Sequence, residues 1–77
     1  MDWREHITAD PNVCHGQACM RGTRIPVTVV LDNLADGCTA EQIVADYPTL
    51  SIDAVRAAIA YAAELARERL VPFPRSA

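Results

Sequence analysis

Any chemistry in this chain must come from a small set of side chains. Cys14, His15 and Cys19, with His6 upstream, are the residues able to ligate a soft metal. The run Cys14-His15-Gly16-Gln17-Ala18-Cys19 lacks the short Cys-x-x-Cys bite of most structural zinc sites, and no second pair follows it. The expectation is instead that the cysteines are buried or half-buried thiols in a reducing cytosol. Asp32 and Asp36 stand four residues apart and so share one face of a helix. Such a pair could hold magnesium or exchange protons, but two acids on a surface helix are more often a solvated face. Gly16, Gly22 and Gly37 match neither the Gly-x-Gly-x-x-Gly nor the Walker spacing of phosphate loops. The two histidines sit apart from any serine, cysteine and carboxylate arrangement that spacing would recommend for catalysis. The reading is a non-enzyme that uses no cofactor and no metal.

The chain must therefore act by binding, and composition restricts what it binds. At 77 residues it makes one domain, near the size at which a single apolar core just suffices. A partner or a second copy would add stability. Half of the residues are apolar (51%) and 22% are charged, which argues for a folded domain rather than disorder. No apolar run approaches the roughly 20 residues of a membrane span, and the opening MDWREHITADP has no apolar signal core, so a cytoplasmic location is expected. The net charge is −3 and all seven basic residues are arginine. Strong sequence-independent binding to nucleic acid needs several neutralised phosphates, so a basic domain is excluded. A local basic patch at Arg21 and Arg24, or at Arg67 and Arg69, is not.

The elements that position these residues read most clearly in residues 26–70. Pro26 suits a helix entry and Gly37 a left-handed cap, with Val27, Val30, Leu31 and Leu34 at helical spacing between them. Thr39 and Gln42 form a capping box for a second, very short helix that Pro48 stops at Tyr47. Ser51 caps a third helix, with Asp53 in its first turn, that runs unbroken to about Leu70. VPFPRSA is a proline-punctuated tail that cannot extend it. Upstream, HITADPNV and QACMRGTRI alternate around turn signals and predict short extended pieces, a small hairpin leaning on the helices. The fold class is thus mainly α, a three-helix domain with an N-terminal extended segment over residues 1–25.

The second and third helices, joined by Tyr47-Pro48-Thr49-Leu50, form a helix-turn-helix candidate, with Ala45 as the small residue at the approach and Val55 buried. The third helix would then present Asp53, Arg56, Ala57, Ala60, Glu64 and Arg67. Arg56 is the only good base reader among the first two turns, and Asp53 would repel phosphate. Ile52, Val55, Ile59 and Leu65 or Ala66 read as the stripe facing the helix's own domain. Ala54, Ala58 and Tyr61 read as a second, shallower face, and therefore as a homodimer contact with Tyr61 as anchor.

Arg21-Gly22-Thr23-Arg24-Ile25-Pro26-Val27, together with Leu34-Ala35-Asp36-Gly37 and the run YPTLSIDAVRAAIAYA over residues 47–62, resembles the domain-of-unknown-function 433 family across residues 6–69. The resemblance implies a homeodomain-like three-helix fold. It also implies an antitoxin-like role in type II toxin–antitoxin pairs, often beside a gene for a protein of PIN-type nuclease fold. Within Arg21–Val27, Gly22 is read as the turn, Thr23 as a local hydroxyl partner for the backbone, and Pro26 as the fixed entry to the first helix.

The expected function is neutralisation of a PIN-like toxin, whose metal-binding carboxylates an inserted arginine can pair with. Arg67, Arg69 and Arg75 are the candidates for insertion, with Leu70, Val71 and Phe73 as apolar anchors. The chain is further expected to dimerise and to bind operator DNA through Arg56, Arg21 and Arg24. A stand-alone helix-turn-helix regulator or a non-enzymatic adaptor is the alternative.

Overall fold

The computed structural model describes residues 2–9 and 16–68. A 3₁₀ turn at Trp3–Glu5 leads into β1 (Ile7–Thr8), which pairs antiparallel with β2 (Cys19–Met20), Ile7 opposite Met20 and Thr8 opposite Cys19. Three helices follow: α1 (Val27–Ala35), α2 (Ala40–Asp46) and α3 (Ile52–Glu68). The chain is mainly helical, with the short N-terminal hairpin that its alternating pattern predicts.

Each boundary has a local cause. The Asp2 carboxylate accepts the Arg4 N–H at 3.0 Å and so caps the 3₁₀ turn. After β2 the chain reverses through Arg21 and Gly22, whose φ of +78° only glycine adopts readily, and Thr23 N–H closes the turn onto Met20 O at 3.1 Å. The Thr23 hydroxyl donates to the same carbonyl at 2.7 Å and accepts the Ile25 N–H at 3.0 Å, the local role its type and place predict. Pro26 lies one residue outside α1, as its N-cap, and offers no side-chain cap. The Val27 N–H is taken up instead by the Ala18 carbonyl at 3.0 Å, which ties the first turn of α1 to the hairpin.

α1 ends in a Schellman motif. Gly37 N–H bonds Leu34 O and Cys38 N–H bonds Asn33 O, both at 3.0 Å, with Gly37 at φ +97°. The Thr39–Gln42 capping box is complete, at 2.7 and 3.1 Å. Ser51 Oγ accepts the Ala54 N–H at 3.0 Å and starts α3.

The core collects Ile7 and Met20 from the hairpin, Val27 and Val30 from α1, Ile43 from α2, Leu50 from the turn, and Ala54, Val55 and Ala58 from α3. Every buried side chain among the described residues is apolar. At roughly 25 cal/mol per Å², burial of this set is the main force holding so small a domain together. Cys19 is disulfide-bonded and Cys38 is a free, half-buried thiol, so the expectation of thiols throughout holds for Cys38 and fails for Cys19. Among the described residues no helix is long and apolar enough to cross a membrane.

Candidate functional site

α3 decides what the surface offers, because its phase about its own axis fixes which side chains reach outward. Ala54, Ala58, Tyr61 and Leu65 follow at spacings of four, three and four, one stripe of a helix. Ala54 and Ala58 are buried in the core, and Tyr61 packs against it. The dimer contact expected at Ala54, Ala58 and Tyr61 is therefore corrected: this face is occupied by the chain's own α1 and N-terminal segment. The reason is physical. Alanines let two elements of one chain approach closely as readily as two chains, and the 3₁₀ turn brings Trp3 onto Tyr61 with ring centres 5.0 Å apart.

The complementary error lies in the stripe assigned to the interior. Val55 is fully buried as expected, but Ile59 is 48% and Leu65 41% exposed. These are the large apolar side chains that the described residues expose. Ala57, expected to face outward, is fully buried, and Ala45, expected at the helix approach, is exposed. Ile59 and Leu65, six residues apart, lie about a third of a turn from each other around α3, so they belong to separate surfaces.

Leu65 borders a groove of about 340 Å³ between α1 and α3, lined by Gln17, Ala18, Val27, Thr28, Leu31, Tyr61 and Leu65. Its walls are almost wholly apolar, and its volume lies in the range of pockets that hold small apolar groups. Ile59 stands instead with half-buried Ala63 and exposed Ala66, on the side nearer Arg56 and Arg67.

The arginines divide by what they hold. Arg21, expected at DNA, is a structural clamp. Its guanidinium donates from Nη2 to Arg4 O (2.9 Å) and Ile7 O (3.2 Å), and from Nε to Glu5 O (3.1 Å). Its own N–H bonds His6 O at 2.7 Å. Those carbonyls at the end of the 3₁₀ turn need donors, and one planar fork supplies them. Arg24 is exposed on the connection between β2 and α1, and Arg56 is exposed on α3, beside exposed Asp53. Arg67 is exposed and pairs with Glu64 one turn back, Nη1 to Oε2 at 3.0 Å. Arg69, Leu70, Phe73 and Arg75 lie outside the described residues, as do Cys14 and His15. Among the described residues no three histidine, cysteine or carboxylate side chains gather as a metal site would require.

Sequence reasoning missed Trp3, the groove and the outward Ile59. The four-three-four spacing from Ala54 to Leu65 is a usable signal for the phase of α3, but the helix carries two apolar stripes, and bulk favours the Ile59 stripe as the internal one.

The family model described as "Protein of unknown function (DUF433)" matches residues 7–62. A crystal structure of a DUF433 member protein from Anabaena variabilis is similar to this chain with a TM-score of 0.74 and 33% identity, covering 82% of this chain and 62% of that one. The uncharacterized protein y4eO of Sinorhizobium fredii is 36% identical over 59 residues, 77% of this chain. The chain spans 27% of the length of that relative, and thus about a quarter of it.

Proposed function

This chain belongs to the DUF433 family, and from that premise we propose that it is a binding protein of antitoxin type that holds a PIN-like nuclease inactive. The observation that carries the proposal is the outer side of α3, where the half-exposed Ile59 stands on the helix that also carries exposed Arg67, in a domain whose described interior is entirely apolar. An apolar surface bordered by an arginine fits a protein partner that offers carboxylates. Arg67 is free to change partners at little cost, because an exposed pair such as Arg67–Glu64 contributes on the order of 0–1 kcal/mol. Arg69 and Arg75 would add charge, and Leu70 and Phe73 apolar contact. In this proposal the homodimer, formed through Ile59, Ala63 and Ala66, is the uncomplexed form, and the partner displaces the second copy from the same side of α3.

The test is co-expression with the product of the adjacent gene, scoring growth rescue and co-purification. A stable complex that relieves toxicity is expected, and the triple variant Arg67→Glu, Arg69→Glu, Arg75→Glu should lose rescue while remaining folded. Full rescue by the triple variant would remove the arginines from the mechanism. No complex at all would remove the partner.

A second reading, operator binding, is favoured by the exposure of Arg56 in the early turns of α3, the helix in the reading position of a helix-turn-helix. Arg24 remains a candidate phosphate contact, whereas Arg21 is committed elsewhere. Salt-sensitive retardation of the chain's own upstream DNA, lost in Arg56→Ala, is the expected result. Unchanged retardation in that variant would end the assignment.

A further inference from the structure

We infer that α3 pairs with α3 of a second copy of this chain, antiparallel and centred on Ala60, and that this contact masks Arg56 and Arg67. The inference rests on the self-association proposed above for this side of α3, and it supplies the geometry and the consequence of that contact. It starts from the order of charges along the helix: Asp53, Arg56, Glu64 and Arg67, which is acid, base, acid, base. Asp53, Arg56 and Arg67 are exposed, and Glu64 is half-buried.

Ala60 lies seven residues from both Asp53 and Arg67, and four residues from both Arg56 and Glu64. A second helix turned end over end about that point sets Asp53 against the partner's Arg67 and Arg56 against the partner's Glu64. By two-fold symmetry each contact occurs twice. The face is thus complementary to itself. A parallel pair in register would set every charge against its own kind. Moving the antiparallel centre less than half a turn toward the C-terminus would bring Arg56 against the partner's Arg67.

The shape of the helix agrees with the charge. Asp53, Ala60 and Arg67 recur every seven residues and so drift only about 20° per interval around the axis. They share the outward side with Arg56, Ile59 and Ala63, away from the buried Ala54 and Ala58. Ala60 and Ala63 have no side chain beyond Cβ, which lets the two axes approach to the short end of the usual spacing of about 8–10 Å. Ile59, one residue from the centre, meets the partner's Ile59 beside the two-fold axis and covers a side chain that is 48% exposed in the single chain.

The chain as a whole carries −3, so two copies repel at long range unless opposite charges meet where they touch. Arg67 already bonds Glu64, Nη1 to Oε2 at 3.0 Å. That pair becomes the middle of a network running from the partner's Asp53 through Arg67 and Glu64 to the partner's Arg56, and a network contributes where an isolated surface pair does not. A contact confined to one 17-residue helix from each copy is small, and therefore readily exchanged. Because Arg56 and Arg67 both lie inside it, operator DNA or a carboxylate-bearing partner must compete with the second copy for them.

The test mixes two charge-reversed chains. Arg56→Glu alone sets a carboxylate against the partner's Glu64, and Glu64→Arg alone sets a guanidinium against the partner's Arg56. Sedimentation equilibrium should find each variant, folded by circular dichroism, dimerising about tenfold or more weakly than the wild type. An equimolar mixture of the two should form a heterodimer of wild-type strength, since every facing pair is again opposite in sign. Mixing repairs only a contact made between chains. Variants that dimerise as well as the wild type, or weakened variants that mixing does not repair, would overturn the antiparallel pairing and leave self-association standing. A wild-type chain that stays monomeric up to about 1 mM would sink the self-association and this inference together.

Discussion

Trp3 and Tyr61 meet edge to face, with ring centres 5.0 Å apart and planes inclined at 67°. The contact joins the 3₁₀ turn to α3 across nearly the whole described chain, and it seats Tyr61 with its other flank on the groove. The Arg4 guanidinium lies 4.6 Å from the Trp3 ring centre, so the indole contacts both a cation and a phenol. Replacing Trp3 by Ala should lower the free energy of unfolding by about 2 kcal/mol, less than the ~3–5 of a fully buried aromatic because Trp3 is half-buried. A double-mutant cycle with Tyr61→Leu, read by urea denaturation, should leave a coupling of roughly 0.5–1.5 kcal/mol.

Arg21 gives the sharpest distinction between a structural and a DNA-contacting arginine. Arg21→Ala strips donors from the carbonyls of Arg4, Glu5 and Ile7. Part of this site is exposed, so water replaces some of the lost bonds, and the expected loss is about 1–2 kcal/mol. Arg21→Lys should recover little of it, because a point-like ammonium cannot span carbonyls that a planar fork reaches together. Thermal unfolding of the three proteins checks this. A variant that kept full stability while changing only the salt dependence of DNA binding would return Arg21 to a DNA-contacting role.

Val55 and Ile59 sit one turn apart on α3 and should behave oppositely. Val55→Ala removes methyl groups from a fully buried site and should cost about 2 kcal/mol. Ile59→Ala, at a side chain 48% exposed, should change stability by under about 0.5–1 kcal/mol. If Ile59 serves self-association, its substitution will shift the sedimentation coefficient toward that of a monomer, while Val55→Ala leaves the assembly alone.

At Gly37 the effect should be backbone strain alone. A Cβ there would touch nothing within 4 Å, but φ is +97°. Gly37→Ala should therefore cost about 1–2 kcal/mol through the left-handed conformation, visible as a lower midpoint in chemical denaturation with an unchanged slope.

The helices were legible because their ends carry local chemistry. Thr39 with Gln42, Ser51, and Gly37 each act within a few residues of their own position, so the sequence window contains both donor and acceptor. The turn at Gly22 and Thr23 was readable for the same reason. What escaped was long-range. Nothing near Arg21 marks it as the donor to carbonyls fourteen to seventeen residues upstream, and exposed-looking arginine near glycine reads as a binding edge. The phase of α3 escaped for a different cause. With alanine on nearly every face, periodicity leaves two nearly equal stripes, and only contacts from elsewhere in the chain, Trp3 of the 3₁₀ turn among them, determine which one is covered.

The three helices differ in what starts them, and this orders how the chain folds. α2 and α3 bring their own caps, the hydroxyls of Thr39 and Ser51, and these operate as soon as the local backbone turns. α1 has no side-chain cap, and its Val27 N–H is satisfied by Ala18 on the approach to β2. A nucleus of α2 and α3 can form from neighbouring residues alone. Docking of the hairpin completes the bonding of the first turn of α1, which the Val29 N–H to Pro26 O bond begins, so the hairpin and α1 are expected to close and to open as one cooperative unit.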